Sequence, residues 1–277
     1  MLLLTCPDRP GLVAAVSEFI LRHRGNILHA DQHSDPIEEL FLQRVEFDLP
    51  SGDLDALEDG FRQLAERFGM RWSLRRSGPP PRVAILVSKL GHCAYDLLGR
   101  WHMGDLPIDV VLVASNHERL SAMASGFDVP FHHLPIVDGE RPRQEAELAS
   151  LLAAENTDLV VLARYMQILS PELVARYPRR MINIHHSFLP AFAGAAPYRQ
   201  AHERGVKIIG ATAHYVTDEL DQGPIIEQDV TRVSHRDAVE DLVQKGRDLE
   251  KVVLARAVRW HIEHRVLVYG NKTVVFG

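Results

Sequence analysis

The apolar positions in the first eighty residues form two kinds of pattern, a helical spacing and short continuous runs. Two segments repeat every three or four residues, as the buried face of a helix does: Leu12, Val13, Val16, Phe19 and Ile20, then Leu54, Leu57, Phe61, Leu64 and Phe68. With the apolar runs of strand length around them, the pattern predicts strand 1–5, helix 10–23, strand 26–34, strand 39–48, helix 52–68 and strand 70–75. This βαββαβ order predicts a small, ferredoxin-like antiparallel sheet with helices on one face.

The rest of the chain contains near-continuous runs rich in β-branched residues, at 83–87, 110–114 and 159–163. Strands buried on both faces have this composition, so the runs predict an α/β domain with a Rossmann-like, mostly parallel sheet. Ligands of such sheets bind beyond the carboxyl ends of the strands. Two further runs, 181–184 and 208–216, continue the predicted sheet. A late amphipathic helix is indicated by Leu249, Val252, Val253, Ala257 and Trp260.

A run of three prolines at 79–81 divides the chain. Proline neither continues a helix nor donates a hydrogen bond to a sheet, so this run is typical of a linker. We therefore predict a first domain at 1–78, a Pro-rich linker at 79–82 and a second domain at 83–277.

Composition and charge restrict the partners and the location that we expect for this protein. The 277 residues carry a formal net charge of -6, which argues against a nucleic-acid partner, because such proteins normally show a basic excess. The apolar start meets Cys6, Pro7 and Asp8 too early for a signal or a membrane span, so we expect a cytoplasmic protein without a membrane partner. Cys6 and Cys93 fall in different predicted domains, so we expect reduced, buried thiols and neither a disulfide nor a cysteine metal site.

An amide, an imidazole and a carboxylate form the candidate catalytic set. Asn183 and His185 are separated by one residue at the end of a predicted strand, so their side chains point to the same face. Together they can stabilise the oxyanion that forms when a nucleophile attacks a carbonyl, and removing one such donor typically costs about 100-fold to 1000-fold in rate. Asp221 has two candidate roles: it holds His185 in its charged form, or it accepts a proton from the nucleophile. Alternatively, Asp221 is only a turn residue before a Gln-Gly-Pro sequence.

Two more histidines lie near this set. His186 follows His185 directly, and neighbours on a strand point to opposite faces, so the two cannot easily share one ion, and we predict no metal site. His186 is therefore expected to be a packing or supporting residue. His214 is expected on an adjacent strand, where it supports the same cluster.

The second domain resembles the folate-dependent formyltransferase family over residues 83–230. The similarity lies in the segment from Asn183 to Pro190, in the Gly-Ala-Thr-Ala-His sequence that ends at His214, and in the Asp-x-Gly-x-Ile sequence that begins at Asp221. It implies that Asn183, His185 and Asp221 are catalytic. It also implies that two segments bind the folate ring: Met166, Gln167, Ile168 and Leu169, which contact it through their backbone, and Thr217, Asp218, Glu219 and Leu220, which close over it.

The first domain resembles the ACT domain, a regulatory module of amino-acid and one-carbon enzymes. The similarity lies in residues 6–13, 25–27 and 31–32. It implies a homo-oligomer, a dimer or a tetramer, and a site for an amino-acid effector. The candidate effector residues are Asp8, Pro10, Gly11, Asn26 and Gln32.

Local chemistry leaves two interpretations of the effector residues. Pro10 suits the first turn of a helix, and Gly11 allows a neighbouring backbone or a ligand to approach closely. Alternatively, Asp8 only caps that helix and Gly11 only makes a tight turn, and the module serves as a dimerisation surface.

Two features bear on the acceptor of the formyl group. Glycinamide ribonucleotide formyltransferases of this family carry a Gly- and Ser-rich loop after the first strand, and the stretch 87–93 lacks most of those glycines. With the ACT-like module and the segments 162–167, 185–192 and 270–276, nearly the full chain is similar to the formyltetrahydrofolate deformylases. This resemblance implies hydrolysis of 10-formyltetrahydrofolate to tetrahydrofolate and formate, with the folate as substrate and no cofactor.

The resemblance further implies that the formate supplies purine synthesis and that the reaction balances the one-carbon pool. Two alternatives stay open: transfer of the formyl group to an amine such as glycinamide ribonucleotide, and an amino-acid-sensing ACT protein with weak folate binding. One departure from the family is Ala196, where a longer polar or basic side chain is usual. The shorter side chain is expected to weaken contacts to an anionic substrate tail. We expect this to affect the efficiency of the reaction more than its type.

Overall fold

The computed structural model describes residues 1–49, 54–137, 141–190 and 197–277. The chain forms two compact units. The first contains residues 1–79 together with 264–269 and 274–277, and the second contains 80–263 together with 270–273.

The first unit has the βαββαβ order that the apolar pattern predicts. Its elements are β1 (Leu2–Pro7), α1 (Leu12–Arg22), β2 (Asn26–Asp35), β3 (Leu40–Asp48), α2 (Leu54–Phe68) and β4 (Arg71–Leu74). The strands pair in the order β2-β3-β1-β4, and every pair is antiparallel. The predicted ferredoxin-like fold is therefore confirmed.

Aromatic packing joins the helices of this unit to its sheet. Phe61 of α2 packs edge to face on Phe19 of α1, with ring centroids 5.2 Å apart, and on Trp72 of β4, at 4.9 Å. Such pairs contribute about 0.5–1.5 kcal/mol beyond their buried area. The helical spacing of Phe19 and Phe61 in the sequence therefore corresponds to one shared core.

Helix α1 begins two residues later than predicted. Gly11 occupies the N-cap with a φ of 92°, a left-handed conformation that interrupts the helical backbone, and the helix itself begins at Leu12. Pro10 therefore precedes the helix and does not lie in its first turn, which corrects the prediction. Asp8 lies three residues before the N-cap, so it does not occupy the capping position either.

The second unit contains a seven-stranded sheet. Its strands are β5 (Arg82–Val87), β6 (Asp109–Ser115), β7 (Phe131–His133), β8 (Leu159–Leu162), β9 (Met181–His185), β10 (Ile208–Tyr215) and β11 (Ile225–Arg232). Its helices are α3 (His92–His102), α4 (Ser121–Ser125), α5 (Arg141–Ala154), α6 (Pro171–Arg176), α7 (Pro197–Glu203) and α8 (Val239–Ile262). The strand order is β11-β10-β9-β8-β5-β6-β7. The pairs from β9 to β7 are parallel, which confirms the Rossmann-like, mostly parallel sheet.

Strand β10 continues this sheet but runs antiparallel to β9. The sequence pattern predicts the segment 208–216 as part of the parallel sheet, and the structure corrects its direction. An apolar run contains no information on direction, because both directions bury the same side chains. The observed register places His214 opposite Asn183.

Helix α8 packs against β10 and β11. Its 24 residues include the positions 249–260 that predict a late amphipathic helix. The buried face includes Leu242, Gly246, Val253 and Ala257, and also a carboxylate, Glu250. None of the helices in the described ranges is long and apolar enough to cross a membrane.

The end of the chain is divided between the two units. It forms a two-stranded sheet of β12 (Val266–Tyr269) and β13 (Lys272–Val275). Tyr269 and Phe276 cluster with Leu42 of β3, and the Tyr269 hydroxyl donates a hydrogen bond to Asp35 Oδ2 (3.0 Å). The structure thus differs from the predicted second domain, 83–277, because residues of the first unit bury these two aromatic side chains.

Candidate active site

A cavity of about 990 Å³ lies at the carboxyl ends of β8 and β9. The three predicted catalytic residues, Asn183, His185 and Asp221, line this cavity. So do the residues predicted to bind folate, which are Met166, Gln167, Ile168, Leu169, Thr217, Asp218, Glu219 and Leu220. Ligands of parallel sheets bind at this edge.

The side chains of Asn183, His185 and Asp221 form one connected set through His214. His185 Nδ1 lies 3.2 Å from Asp221 Oδ2, and His214 Nε2 lies 3.6 Å from Asp221 Oδ1. Asn183 Nδ2 lies 3.2 Å from His214 Nε2. The antiparallel pairing of β9 and β10 positions His214 for both contacts.

The imidazoles keep Asp221 ionised. Hydrogen bonds from His185 and then His214 hold the pKa of Asp221 well below its usual range, although partial burial acts in the opposite direction. Each oxygen of the Asp221 carboxylate faces one imidazole nitrogen, and a carboxylate has further acceptor sites beside these two contacts. This geometry is compatible with both candidate roles, holding the charge of His185 and accepting a proton from the nucleophile.

His185 has one ring nitrogen free for a ligand. Nδ1 is directed to Asp221, and Nε2 is buried without a hydrogen-bond partner among the described residues. His214 has a different environment: its Nδ1 donates to the carbonyl of Tyr215 (2.9 Å), which leaves Nε2 to orient the amide of Asn183. His185 is therefore suited to contact a substrate, and His214 to support Asn183.

A tight turn presents Asp221 to the imidazoles. Asp221 has a φ of 57°, in the left-handed region, so it is both a turn residue and the partner of His185. Two residues later, a Cβ atom on Gly223 would overlap the carbonyl oxygen of Tyr215. Only glycine allows this turn to lie so close to β10.

The predicted folate-binding segments add apolar surface to the cavity. Met166, Ile168 and Leu220 all line it, yet each of these side chains is more than half exposed. The backbone N–H of Met166 donates to Ser88 Oγ (3.0 Å), which anchors the first segment to the end of β5. Exposed apolar side chains around a cavity suit a flat heterocycle.

His186 lies in the cavity and not on the opposite face of the sheet, so the predicted orientation is wrong. Strand β9 ends at His185, and the alternation of side chains ends with it. The rings of His186 and His185 have centroids 5.2 Å apart. Burial, and then the charge of Arg164, lower the pKa of His186 to about 4, so this imidazole is neutral at neutral pH.

The sequence interpretation missed a group of four polar residues beside this set. In this group, called here the Glu250 cluster, Glu250 is almost completely buried and faces His92, Arg164 and Tyr198. His92 Nε2 lies 2.7 Å from Glu250 Oε2, and the Tyr198 hydroxyl donates to Oε1 (2.7 Å). Arg164 Nε forms an ion pair with Oε2 at 3.5 Å. All four residues line the cavity.

A sequence signal for this cluster exists in α8. Glu250 follows Leu242 and Gly246 at steps of four residues, so it lies on the apolar face of an amphipathic helix. A carboxylate at such a position needs partners. Burial alone would raise the pKa of Glu250, but His92 and Arg164 outweigh it, and the pKa lies below its usual value.

The Glu250 cluster does not fit a metal ion. His92, Cys93 and Glu250 offer ligand atoms within 4.8 Å of one another. However, Glu250 is already engaged by His92, Tyr198 and the Arg164 cation. Burial, and then the charge of Glu250, raise the pKa of the Cys93 thiol well above its usual value, so the thiolate that a metal requires is disfavoured.

Of the candidate effector residues in the first unit, Asn26 lies at the opposite end of the sheet from Asp8. Asp8, Pro10, Gly11, Asn26 and Gln32 are all exposed. Asp8 follows β1 at the end of the sheet where its N–H donates to Glu39 (2.9 Å). Asn26 pairs with Asp48 at the opposite end of β3. Ala196 lies outside the described residues.

Comparisons with known proteins agree with this arrangement. The family described as "Formyl transferase" matches residues 81–258, and the family described as "ACT domain" matches residues 1–66. The fold and the site therefore define a formyl transferase-type domain preceded by an ACT domain. The formyltetrahydrofolate deformylase from Synechocystis sp. is 55% identical to this chain, over 99% of this chain and 97% of that protein. The formyltetrahydrofolate deformylase from Bacillus subtilis is 49% identical, over 99% of this chain and 93% of that protein. The chain belongs to the formyltetrahydrofolate deformylase family.

A solved structure supports the same assignment. The crystal structure of a formyltetrahydrofolate deformylase from Pseudomonas syringae pv. tomato superposes with a TM-score of 0.95 at 51% identity, covering 100% of this chain and 93% of that one. The resemblance stated from the sequence motifs is therefore confirmed.

Proposed function

We propose that this protein hydrolyses 10-formyltetrahydrofolate to tetrahydrofolate and formate. The observation that carries the proposal is the assembly of Asn183, His185 and Asp221 in one cavity at the end of β9, within a chain of the deformylase family. The folate is the substrate, and the proposed reaction uses only water as its second reactant.

In the proposed mechanism, the formyl oxygen binds between the Asn183 amide and His185 Nε2. Attack on the formyl carbon moves negative charge to this oxygen, and a charged imidazole with an amide donor stabilises it. The Asp221 carboxylate stays ionised and lies 3.2 Å from His185 Nδ1, where its negative charge stabilises a positive imidazole during the reaction. Because these interactions are strongest in the transition state, they raise the turnover rate more than the affinity.

The two apolar segments are proposed to hold the folate ring. The backbone of Met166, Gln167, Ile168 and Leu169 would meet one edge of the heterocycle, and Thr217, Asp218, Glu219 and Leu220 would cover it. Both segments line the cavity. Donors and acceptors on such a ring that stay unpaired on burial cost about 1–3 kcal/mol each, which favours backbone partners.

Formate release tests the proposal. Purified protein is incubated with 10-formyltetrahydrofolate in the absence of any amine, and formate and tetrahydrofolate are measured. We expect the two products to appear in equal amounts. Bound folate without formate would contradict the proposal. Formyl-donor consumption that depends on glycinamide ribonucleotide would instead support the formyltransferase alternative.

The first unit is proposed to serve regulation or oligomerisation, with a domain boundary near residues 79–82. The ACT family match supports this role. We further propose a homo-oligomer, an amino-acid effector, a cytoplasmic location and supply of formate to purine synthesis. Light scattering on the full chain measures the oligomer, and calorimetry with glycine and methionine measures effector binding. An amino-acid complex without formate release would favour the sensor alternative.

A further inference from the structure

Arg164 is a buried cation with unused hydrogen-bond donors. The residue follows β8, lines the cavity and is only 9% exposed. Neither its Nε nor its Nη1 has a hydrogen-bond partner among the residues that the structure describes. A guanidinium stays charged in proteins, and a buried donor without an acceptor is costly. These N–H groups therefore require an acceptor that enters the cavity.

The neighbouring carboxylate of Glu250 does not meet this requirement. Arg164 Nε lies 3.5 Å from Glu250 Oε2, which is an ion pair without a hydrogen bond. The short contacts of Glu250 are with other residues: His92 Nε2 lies 2.7 Å from Oε2, and the Tyr198 hydroxyl donates to Oε1 (2.7 Å). Glu250 therefore balances the charge of Arg164 and leaves its Nε and Nη1 donors unpaired.

The backbone of Arg164 has an unfavourable conformation. Its φ is 66°, in the left-handed region, where a residue with a long side chain is strained. It lies two residues after the end of β8, at the edge of the sheet where ligands bind. Strained residues are concentrated at ligand-binding positions, so this conformation favours a ligand contact for Arg164 over packing alone.

The Arg164 cation lies close to the residues of the proposed reaction. The His186 ring centroid lies 5.2 Å from that of His185 and 6.1 Å from that of Tyr198, a member of the Glu250 cluster. After burial, the charge of Arg164 is the largest cause of the lowered pKa of His186. His185 and Arg164 are therefore neighbours of the same imidazole, and both line one cavity.

We propose that Arg164 binds formate, the small anionic product, through hydrogen bonds from the guanidinium that include Nη1. Because formate comes from the hydrolysis proposed above, this subsite rests on that function and deepens it. Arginine suits the role, since its planar array of N–H donors matches the two oxygens of a carboxylate. The subsite therefore holds the product beside the residues that form it.

The charges around the subsite favour weak binding. Arg164 attracts the formate anion, whereas the buried Glu250 carboxylate repels it. In addition, a ligand as small as formate binds no more tightly than about 1 mM. Weak binding allows the product to leave after each turnover.

NMR of [13C]formate tests the inference without turnover. Broadening of the formate signal is titrated with the full-length protein at constant ionic strength, with sodium chloride as the balancing salt. Arg164→Lys keeps a positive charge beside Glu250 but loses the planar array of donors, so we expect formate to bind about 10-fold more weakly. Arg119→Gln, at an exposed position outside the cavity lining, is expected to bind formate as wild type does.

A second variant covers the case in which Arg164→Lys does not fold. The double variant Arg164→Gln with Glu250→Gln removes both charges together, so it leaves no unpaired charge in the core. We expect it to lose formate binding as well. Circular dichroism and urea unfolding establish that each variant is folded.

A further measurement distinguishes formate from the carboxylates of the glutamate tail of folate. Tetrahydrofolate is added to wild-type protein and [13C]formate. We expect the broadening to persist, because the two products occupy different parts of the cavity. Displacement of formate by tetrahydrofolate would overturn the inference. Tetrahydropteroate, which lacks the glutamate, would then show whether the tail carboxylates are the ligand of Arg164.

Two other results would overturn the inference. One is formate binding that is unchanged in the folded Arg164 variants. The other is equal competition by chloride, which indicates an unspecific anion site. The proposed function fails in a different experiment, when wild-type protein releases no formate from 10-formyltetrahydrofolate. Since added formate is titrated in the absence of substrate, the two failures are distinguishable.

Discussion

At the scale of single residues, the chemistry of the cavity depends on which groups carry charge. The neighbouring imidazoles of His185 and His214 hold the pKa of Asp221 well below its usual range, whereas burial, and then the Arg164 cation, lower the pKa of His186 to about 4. The two neighbouring imidazoles of His185 and His186 therefore have different electrostatic surroundings. His185 is suited to stabilise negative charge, and His186 is suited to accept a hydrogen bond.

The substitution Asp221→Asn removes the charge that supports His185. We expect kcat for formate release to fall about 100-fold to 1000-fold, the usual cost of an oxyanion donor, with little change in KM. The matched control is Asp128→Asn, since Asp128 also has a left-handed φ (55°) but is exposed and outside the cavity lining. Steady-state kinetics on both variants checks the prediction. A similar fall in kcat for Asp128→Asn would contradict it, because that residue does not line the cavity.

The lowered pKa of His186 predicts a pH dependence of stability. Between about 6.5, its ordinary value, and about 4, its value in the folded chain, the unfolded chain binds a proton that the folded chain does not. The free energy of unfolding therefore decreases as the pH falls through this window, by up to about 3 kcal/mol. His186→Gln removes this contribution. The free energy of unfolding of both proteins is measured in urea at pH 7 and at pH 4.5. From pH 7 to pH 4.5, wild type should lose more stability than His186→Gln. Equal losses in the two proteins would argue against the lowered pKa.

At the scale of elements, helix α8 couples the core to the cavity. Its residue Gly246 lies one turn before Glu250, where a Cβ atom would overlap the phenol of Tyr198. The missing side chain is what allows Tyr198 to donate to Glu250 at 2.7 Å. Glycine lowers the stability of the helix at this position, but its small size permits a buried hydrogen bond.

Replacement of two helix glycines by alanine separates these effects. In a helix interior this change usually stabilises by about 0.5–1 kcal/mol, and we expect that gain for Gly99→Ala in α3, where the space is open. At Gly246 the new methyl group must displace Tyr198, so we expect a loss of about 2 kcal/mol. Urea unfolding of the two variants tests the contrast, and equal effects would contradict it.

Strand β10 shows the limit of local patterns at this scale. Its apolar run predicts a strand, and the structure has one there. Its direction depends on how the chain returns from β9, and only the antiparallel arrangement places His214 beside Asn183. Likewise, the spacing of Leu12 and Val16 predicts α1, but the left-handed Gly11 decides where the helix begins.

At the scale of the whole molecule, the chain does not divide at one point. Residues 264–269 and 274–277 group with the first unit. Phe276, the second residue from the end, is buried in a cluster with Leu42 and Tyr269. The last residues of the chain therefore contribute to the stability of the first unit.

Truncation of Phe276 tests this contribution. We expect Phe276→Ala to lower the free energy of unfolding by about 3 kcal/mol, as buried Phe→Ala changes usually do. Hydrogen exchange should become faster in β3, which contains Leu42. Ile37→Ala, in the same unit but 84% exposed, should change stability by no more than about 0.5 kcal/mol. Unchanged exchange in β3 would show that the cluster is not coupled to the first unit.

The sequence by itself determined the elements, the order of the two folds and the identity of the deformylase family. These properties depend on apolar spacing and on short motifs, such as the one around Asn183 and His185, whose residues are near one another in the chain. The tertiary structure alone decided the direction of β10, the place of the chain end and the Glu250 cluster. His92 and Glu250 are 158 positions apart. No local pattern relates such residues, because their contact exists only when α3 and α8 pack in the folded unit.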